Sequence, residues 1–152
     1  PYVAFRYFNV YGPRMDRTGA YTEVMIRWIY AAMDGVPPKI HGKGEQSMDF
    51  VHVEDIARAN LAAYQSDVVD EVFNVCTGRE STLIELWKII QKVTGTGHLE
   101  PVFEPPRNIG PAGRRVGDPS KARRLIGFET RIDLESGFHD LYQWLRSVPR
   151  LQ

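Results

Sequence analysis

Arg6-Tyr7-Phe8-Asn9-Val10-Tyr11-Gly12-Pro13-Arg14 is the stretch on which the reading of this chain turns. It continues an alternating apolar run that begins at Tyr2, and the pattern predicts a buried or half-buried strand from Tyr2 to Phe8. The run breaks at Asn9, and Gly12-Pro13 stops the strand and forces a turn. An amide, two aromatics and an arginine are thereby gathered at the carboxyl end of a strand. In open α/β sheets, ligands bind in the crevice outside that end. Taken alone, the stretch fits a core strand with an ordinary polar turn equally well, because short apolar runs are ambiguous.

Composition narrows the classes. The chain has 152 residues, enough for one domain with a real core, and its 43% hydrophobic and 25% charged content are those of an ordinary globular protein. Nineteen basic and nineteen acidic side chains leave no net charge. A polyanion-binding field is absent, which counts against nucleic acid as the main partner. The single cysteine, Cys76, excludes an internal disulfide and fits a reducing, cytoplasmic compartment. No apolar run approaches the roughly 18 residues of a membrane span. There is no signal-peptide pattern, and the opening Pro1-Tyr2-Val3 lies in mid-strand, so the chain is expected to be a piece of a longer protein.

Beyond the turn, residues 16–20 read as a loop. Met25, Trp28, Ile29 and Ala32 fall at helical spacing, with Thr22 as a candidate cap and Gly35 as the stop. A short strand, Lys39-Ile40-His41, ends in Gly42-Lys43-Gly44. Met48 to Val53 has strand character, and a helix begins at Val53 with Glu54 and Asp55 in its first turn. Acids there are favoured by the helix dipole, which explains both without a catalytic role. Glu71 to Cys76 reads as another strand. Thr82 with Glu85 forms a capping box for a helix that buries Leu83, Leu86, Trp87 and Ile90. Residues 95–117 are rich in glycine and proline and read as one long loop, which in a compact domain is functional or disordered. Asp118-Pro119 starts a short helix that ends at Gly127, and a last helix begins near Asp133.

The opening stretch resembles the segment that follows the catalytic tyrosine and lysine in the extended short-chain dehydrogenase/reductase family, the NAD-dependent nucleotide-sugar epimerases, dehydratases and decarboxylases. Later blocks agree in type and order. They are Gly42 to Ala57, Phe73-Asn74-Val75-Cys76-Thr77-Gly78, Arg115-Val116-Gly117-Asp118, Pro119-Ser120-Lys121-Ala122 with Leu125-Ile126-Gly127-Phe128, and Leu134-Glu135-Ser136-Gly137-Phe138. The resemblance covers almost the whole chain and is far more specific than a lone glycine motif.

The resemblance implies an α/β fold: the C-terminal part of a Rossmann-type NAD(P)-binding extended short-chain dehydrogenase, with a small mixed α/β substrate-binding domain. Residues 1–152 would form that single C-terminal domain, with 1–9 and about 71–76 as the last strands of the Rossmann sheet. Tyr7 would reach the nicotinamide end of NAD, Phe8 would line the sugar site, and Asn9 would bind the substrate diphosphate. Ile40 and His41 would sit at the base, Arg115 on the diphosphate and Asp118 near the ribose. The chemistry suits such a ligand, since diphosphates need amide donors or guanidinium forks. Asn9, Arg107, Arg114 and Arg115 supply both, and His41 can lie against a base. A homodimer is expected of the full-length protein.

Two departures stand out. Met48 occupies the place where the family often has a phosphate-binding arginine, and Arg107 or Arg114 is the candidate substitute. The arginine-glycine-aspartate loop is fused to the following helix start, so Asp118 can be only a cap. The chain has no glycine-rich strand-turn-helix for a dinucleotide, and no tyrosine followed four residues later by lysine. No catalytic residue is therefore assigned to it, and the chain alone is expected neither to bind NAD tightly nor to turn over. Two readings follow. One is the substrate-binding part of an NAD-dependent enzyme that works through a 4-keto sugar, with 4-epimerisation favoured over dehydration or decarboxylation. The other is a non-catalytic nucleotide-binding or protein-interaction module on the same fold.

Overall fold

The run from Tyr2 to Phe8 builds β1 (Val3–Tyr7), and after Phe8 the backbone starts a second strand, β2 (Asn9–Tyr11). β1 pairs in parallel with β6 (Glu71–Val75), Tyr7 opposite Val75, whereas β2 pairs in parallel with β5 (Phe50–His52), Asn9 opposite Phe50. The break expected at Asn9 is therefore a change of sheet. The Phe8 N–H still donates to the Val75 carbonyl at 3.1 Å, and the next one, of Asn9, donates to the Asp49 carbonyl at 3.1 Å. One residue separates the two ladders.

The computed structural model describes residues 1–18, 24–106 and 114–150. Helix α1 (Val24–Met33) buries Met25, Ile26, Trp28, Ile29 and Ala32, as its spacing predicts, while Thr22 lies outside the described residues. Strand β3 (Lys39–His41) follows. The strand expected from Met48 to Val53 is instead two pieces, β4 (Ser47–Met48) and β5, interrupted at Asp49. The cause is that the Asp49 backbone bonds outward to other segments: its N–H donates to the Arg115 carbonyl at 2.8 Å.

Helix α2 (Val53–Tyr64) is capped by a side chain that sequence rules do not favour. The Nδ1 of buried His52 accepts the Glu54 N–H at 3.3 Å. The dipole explanation of Asp55 proves incomplete. This carboxylate is fully buried, pairs with Arg58, and accepts the backbone N–H groups of Arg131 at 2.9 Å and Ile132 at 3.2 Å. It clamps a distant segment by taking two backbone donors from it. Helix α3 (Leu83–Thr94) opens with the capping box read from Thr82 and Glu85, and Gly95 ends it in the left-handed region.

The glycine- and proline-rich residues 95–117 are not one loop. They hold β8 (Val102–Glu104), parallel to β3, and β9 (Arg114–Arg115), parallel to β4. β4 also pairs antiparallel with β7 (Ser81–Thr82). Helix α4 (Ser120–Ile126) and helix α5 (Leu134–Ser147) complete the chain, the latter capped by Asp133, whose carboxylate accepts the Ser136 N–H at 2.9 Å.

Apolar side chains gather in two clusters. One joins α1, α3 and α5 with Tyr11, Ile40 and Phe50. The other joins β1 and β6 with α2 and α4 through Phe5, Ala59, Phe73, Val75, Ala122 and Phe128. Among the described residues β1 has β6 as its one strand neighbour. Val72 projects from the opposite pleat and is 37% exposed. Parallel sheets are normally covered on both faces, so this pair presents an open face and an open edge.

Candidate functional site

Asp49 is the point where the residues singled out by sequence converge. It is fully buried, and both carboxylate oxygens are satisfied by donors from other segments. Oδ1 accepts the Thr77 N–H at 2.8 Å and the Thr77 hydroxyl at 2.6 Å. Oδ2 accepts the Gly78 N–H at 2.9 Å and the Gly117 N–H at 3.3 Å. Its own carbonyl accepts from Asn9 twice, from the backbone N–H and from side-chain Nδ2 at 2.9 Å. A buried carboxylate is tolerable because four donors replace its hydration.

Around this residue Phe8, Asn9, Arg115 and Asp118 come together. One of the two amide hydrogens of Asn9 is committed to the Asp49 carbonyl. Gly117 lies against Phe8 and Cys76 so closely that a Cβ would stand 2.5 Å from the Cys76 sulfur and 2.6 Å from the Phe8 ring. Only glycine fits. Burial pushes the Cys76 thiol up to about 12, and the negative Asp49 adds to the shift. The N-cap position of the short helix α4 is held by Pro119 without a side-chain cap bond, so Asp118 stands one residue ahead of the expected cap; its carboxylate accepts the Ser120 N–H at 2.9 Å, which holds its acidity on the strong side of the ordinary aspartate value. Its carbonyl accepts from Asn74 Nδ2 at 3.4 Å.

The cations divide unequally. Arg114 is bound to Glu80 at 2.6 Å, and Glu80 also accepts the Ser47 hydroxyl at 2.9 Å. The Arg114 and Ser47 bonds keep the Glu80 carboxyl below its usual range, so Arg114 is committed and is a poor replacement for a cation missing at Met48. Arg115 stands opposite Met48 in the β4–β9 ladder and is exposed. Arg107 lies outside the described residues.

Tyr7, Ile40 and His41 sit apart from this cluster. The Tyr7 ring stacks on Phe5 with centroids 5.8 Å apart, and its hydroxyl meets the Asn60 amide of α2 at about 3 Å. Ile40 is fully buried in the larger core, so its side chain is closed to a ligand and only its backbone could meet a base. His41 is partly exposed, with Nδ1 3.3 Å from the Pro105 carbonyl and 3.6 Å from Glu104.

A separate cleft of about 880 Å³ opens between α3 and residues 129–134. Arg79, Lys88, Arg123 and Arg131 in it are matched by four acids, and none of the candidate cofactor- or substrate-binding residues lines it. Balanced charge gives it no preference for a diphosphate.

The sequence model of the NAD dependent epimerase/dehydratase family matches residues 1–76, half of the chain. The chain belongs to that family. This epimerase/dehydratase chain is 30% identical to the UDP-N-acetyl-alpha-D-glucosaminuronate decarboxylase of Bacillus cytotoxicus over 97% of its own length and 47% of the relative's. It is 34% identical to the UDP-glucose 4-epimerase of Mycolicibacterium smegmatis over 91% of itself and 44% of that protein. Among solved structures, the UDP-glucose 4-epimerase of Thermotoga maritima, crystallised with UDP-glucose, superimposes with a TM-score of 0.88 at 37% identity. That match covers 96% of this chain and 46% of the other. The mixed α/β fold is thus part of the extended short-chain dehydrogenase architecture, and the chain spans about half the length of the curated relatives it matches.

Among the described residues, the helix N-termini of α2 to α5 in this epimerase/dehydratase chain do not suit the pyrophosphate of NAD. Anions of that kind seek an open helix N-terminus. Those of α2, α3 and α5 are capped by His52, by Thr82 with Glu85 and by Asp133, and at the start of α4 the Ser120 N–H is taken by Asp118. Each of the four carries a carboxylate that would repel the ligand, Glu54 and Asp55 doing so in α2. Tyr7, expected at the nicotinamide, is exposed at the end of β1.

The sequence reading missed Asp49, Thr77 and Gly117. A signal was present in the placement of an acid between Met48 and Phe50, inside an apolar run, where an unpaired charge is costly.

Proposed function

We propose that the whole protein carrying this chain is an NAD-dependent nucleotide-sugar epimerase/dehydratase, and that this chain is its substrate-binding part. The reading rests on one observation above others: the fit, over 96% of the chain, to a UDP-glucose 4-epimerase crystallised with its nucleotide sugar. The cluster around Asp49 supports it chemically. Asn9 has an amide hydrogen to give, Arg115 has an exposed guanidinium, and a diphosphate accepts from both.

In this reading the sugar is oxidised at C4 to a ketone, with the nicotinamide supplying the redox chemistry when bound. Phe8 packs against the sugar, Asn9 and Arg115 hold the diphosphate, and His41 with the Ile40 backbone borders the base. Asp118 is left at the start of α4, with its carboxylate already engaged. The open edge of β1 and the exposed Val72 face support a further body of the protein that carries the dinucleotide and the proton-transferring groups. The protein acts in the cytoplasm as a homodimer. Among the described residues no helix is long and apolar enough to cross a membrane.

Inversion at C4 is the favoured outcome. Decarboxylation of the same keto sugar is the second, favoured by the 30% identity to a decarboxylase. Titrating UDP-, dTDP-, ADP- and GDP-sugars against the whole protein identifies the base, and NMR of the products separates inversion, water loss and carbon dioxide release. Failure of every nucleotide sugar to bind overturns the reading. The chain by itself is expected to bind NAD weakly and to be inactive, and a sub-micromolar calorimetric affinity would contradict that.

A further inference from the structure

We propose that Asp49 is a positioning residue for the diphosphate: it holds the strand bearing Asn9 and the segment bearing Arg115 at a fixed separation, without touching the ligand itself. The inference rests on the functional reading above and goes beyond it by naming what sets the geometry of the site.

The two groups offered to the diphosphate lie on segments with no direct ladder between them. Asn9 is in β2, and Arg115 is in β9, beside β4. Asp49 stands between β4 and β5 and bonds to both segments through its backbone, donating to the Arg115 carbonyl and accepting twice from Asn9. Its carboxylate then fastens the third side, taking N–H groups from Thr77, Gly78 and Gly117. Gly117, drawn in by that bond, presses against the Phe8 ring, which immediately precedes Asn9. The loop closes on itself: Asn9, Asp49, Arg115, Gly117, Phe8.

Both oxygens are saturated by four donors, so no lone pair is left for substrate. This excludes a direct catalytic role. A carboxylate is nevertheless required. An amide of the same shape would present N–H to N–H on one side, setting donor against donor beside a buried group. Preorganised donors bind a ligand without the cost of ordering them, so loosening the bracket should appear in binding before it appears in turnover.

The test uses the whole protein that carries this chain. In Asp49→Asn, the affinity for UDP and the KM for the nucleotide sugar are expected to worsen about ten- to a hundredfold, with kcat reduced less than tenfold and NAD affinity unchanged. Thr77→Val removes one donor of the four while keeping the backbone bonds. It is expected to fold and to show the same pattern at about threefold to tenfold. Asp49→Glu is not expected to restore binding, because an added methylene displaces both oxygens. A folded Asp49→Asn with wild-type UDP affinity overturns the proposal, and so does a parallel loss of UDP and NAD binding, the mark of a general structural role. If Asp49→Asn does not fold, Thr77→Val decides by the same criteria. A wild-type protein that binds no nucleotide sugar overturns the functional reading instead.

Discussion

The Tyr11 ring lies directly against the backbone of Gly137, so that a Cβ at residue 137 would stand 2.1 Å from the Tyr11 hydroxyl oxygen and 2.8 Å from its ring carbon. Tyr11 is fully buried, stacks on Phe138 and ties the end of β2 to α5. Gly137→Ala sets two effects against each other. Alanine favours the helix by about 1 kcal/mol, while overpacking a buried site costs about 1–3 kcal/mol. The contact is too short for a side-chain adjustment alone, so the clash is expected to win by about 1–2 kcal/mol. Urea unfolding measures it. Adding Tyr11→Phe removes the nearer atom and should recover part of the loss, whereas a stabilised Gly137→Ala would refute the packing described.

His52 predicts a pH dependence of stability. Its ring is buried, and burial holds its basicity below the ordinary value of 6.5, against opposing attraction from Glu54, Asp140 and Asp55. The unfolded chain therefore binds the proton more readily than the folded one. Stability from this group is complete above the ordinary histidine value and is lost as pH falls below it towards the folded value. Protonation at Nδ1 also removes the acceptor that caps α2. Thermal unfolding between about pH 7 and pH 5 should show the decline, and His52→Asn should flatten it. An unchanged slope in the variant would assign the decline elsewhere.

Cys76 should be inert. With its thiol at about 12, the thiolate fraction at pH 8 is about one in ten thousand, and thiolate is the reactive form. Iodoacetamide at pH 8 is expected to leave Cys76 unlabelled in the native protein and to modify it once denaturant is added, as read by mass spectrometry of its peptide. Labelling within minutes under native conditions would contradict the burial.

Arg114 and Arg115 are adjacent but should behave differently. Arg114 is spent on a solvent-exposed pair with Glu80, a screened contact that adds little to stability. Its replacement by alanine is expected to alter UDP affinity less than about threefold. In the proposed reading Arg115→Ala removes a charge-assisted bond to the diphosphate, and the expected loss is about ten- to a hundredfold. Calorimetric titration of UDP into the two variants of the whole protein separates them, and equal losses would reassign the diphosphate contact.

Local signals carried much of the fold. The spacing of Met25, Trp28, Ile29 and Ala32, the Thr82–Glu85 box and the start of the last helix near Asp133 all depend on residues within one or two helical turns. Each appears where its pattern put it. What could not be read depends on partners far along the chain. Asp55 looked like a dipole acid because its true partners are at residues 131 and 132. β8 and β9 were hidden because a two- or three-residue strand has no periodicity, and their ladders are supplied by β3 and β4. Asp49 was passed over for the same reason, since Thr77 and Gly117 are remote in sequence. The ordered motif blocks identified the family, but they did not reveal which residue joins one block to another.

The sheet change at Phe8 has a geometric consequence. Tyr7 belongs to one ladder and Asn9 to the next, yet a single residue links them. Two extended residues span at most about 7 Å. The Cα atoms of Tyr7 and Asn9, from which the two side chains reach out, are therefore held within that distance by covalent bonds, as on a ruler. Substitutions elsewhere can tilt the two sheets, widen the cavity or remove a charge, but they cannot lengthen this dimension. Only an insertion or deletion at Phe8 can alter it, and a one-residue change there would also turn every following side chain of β2 to the opposite face.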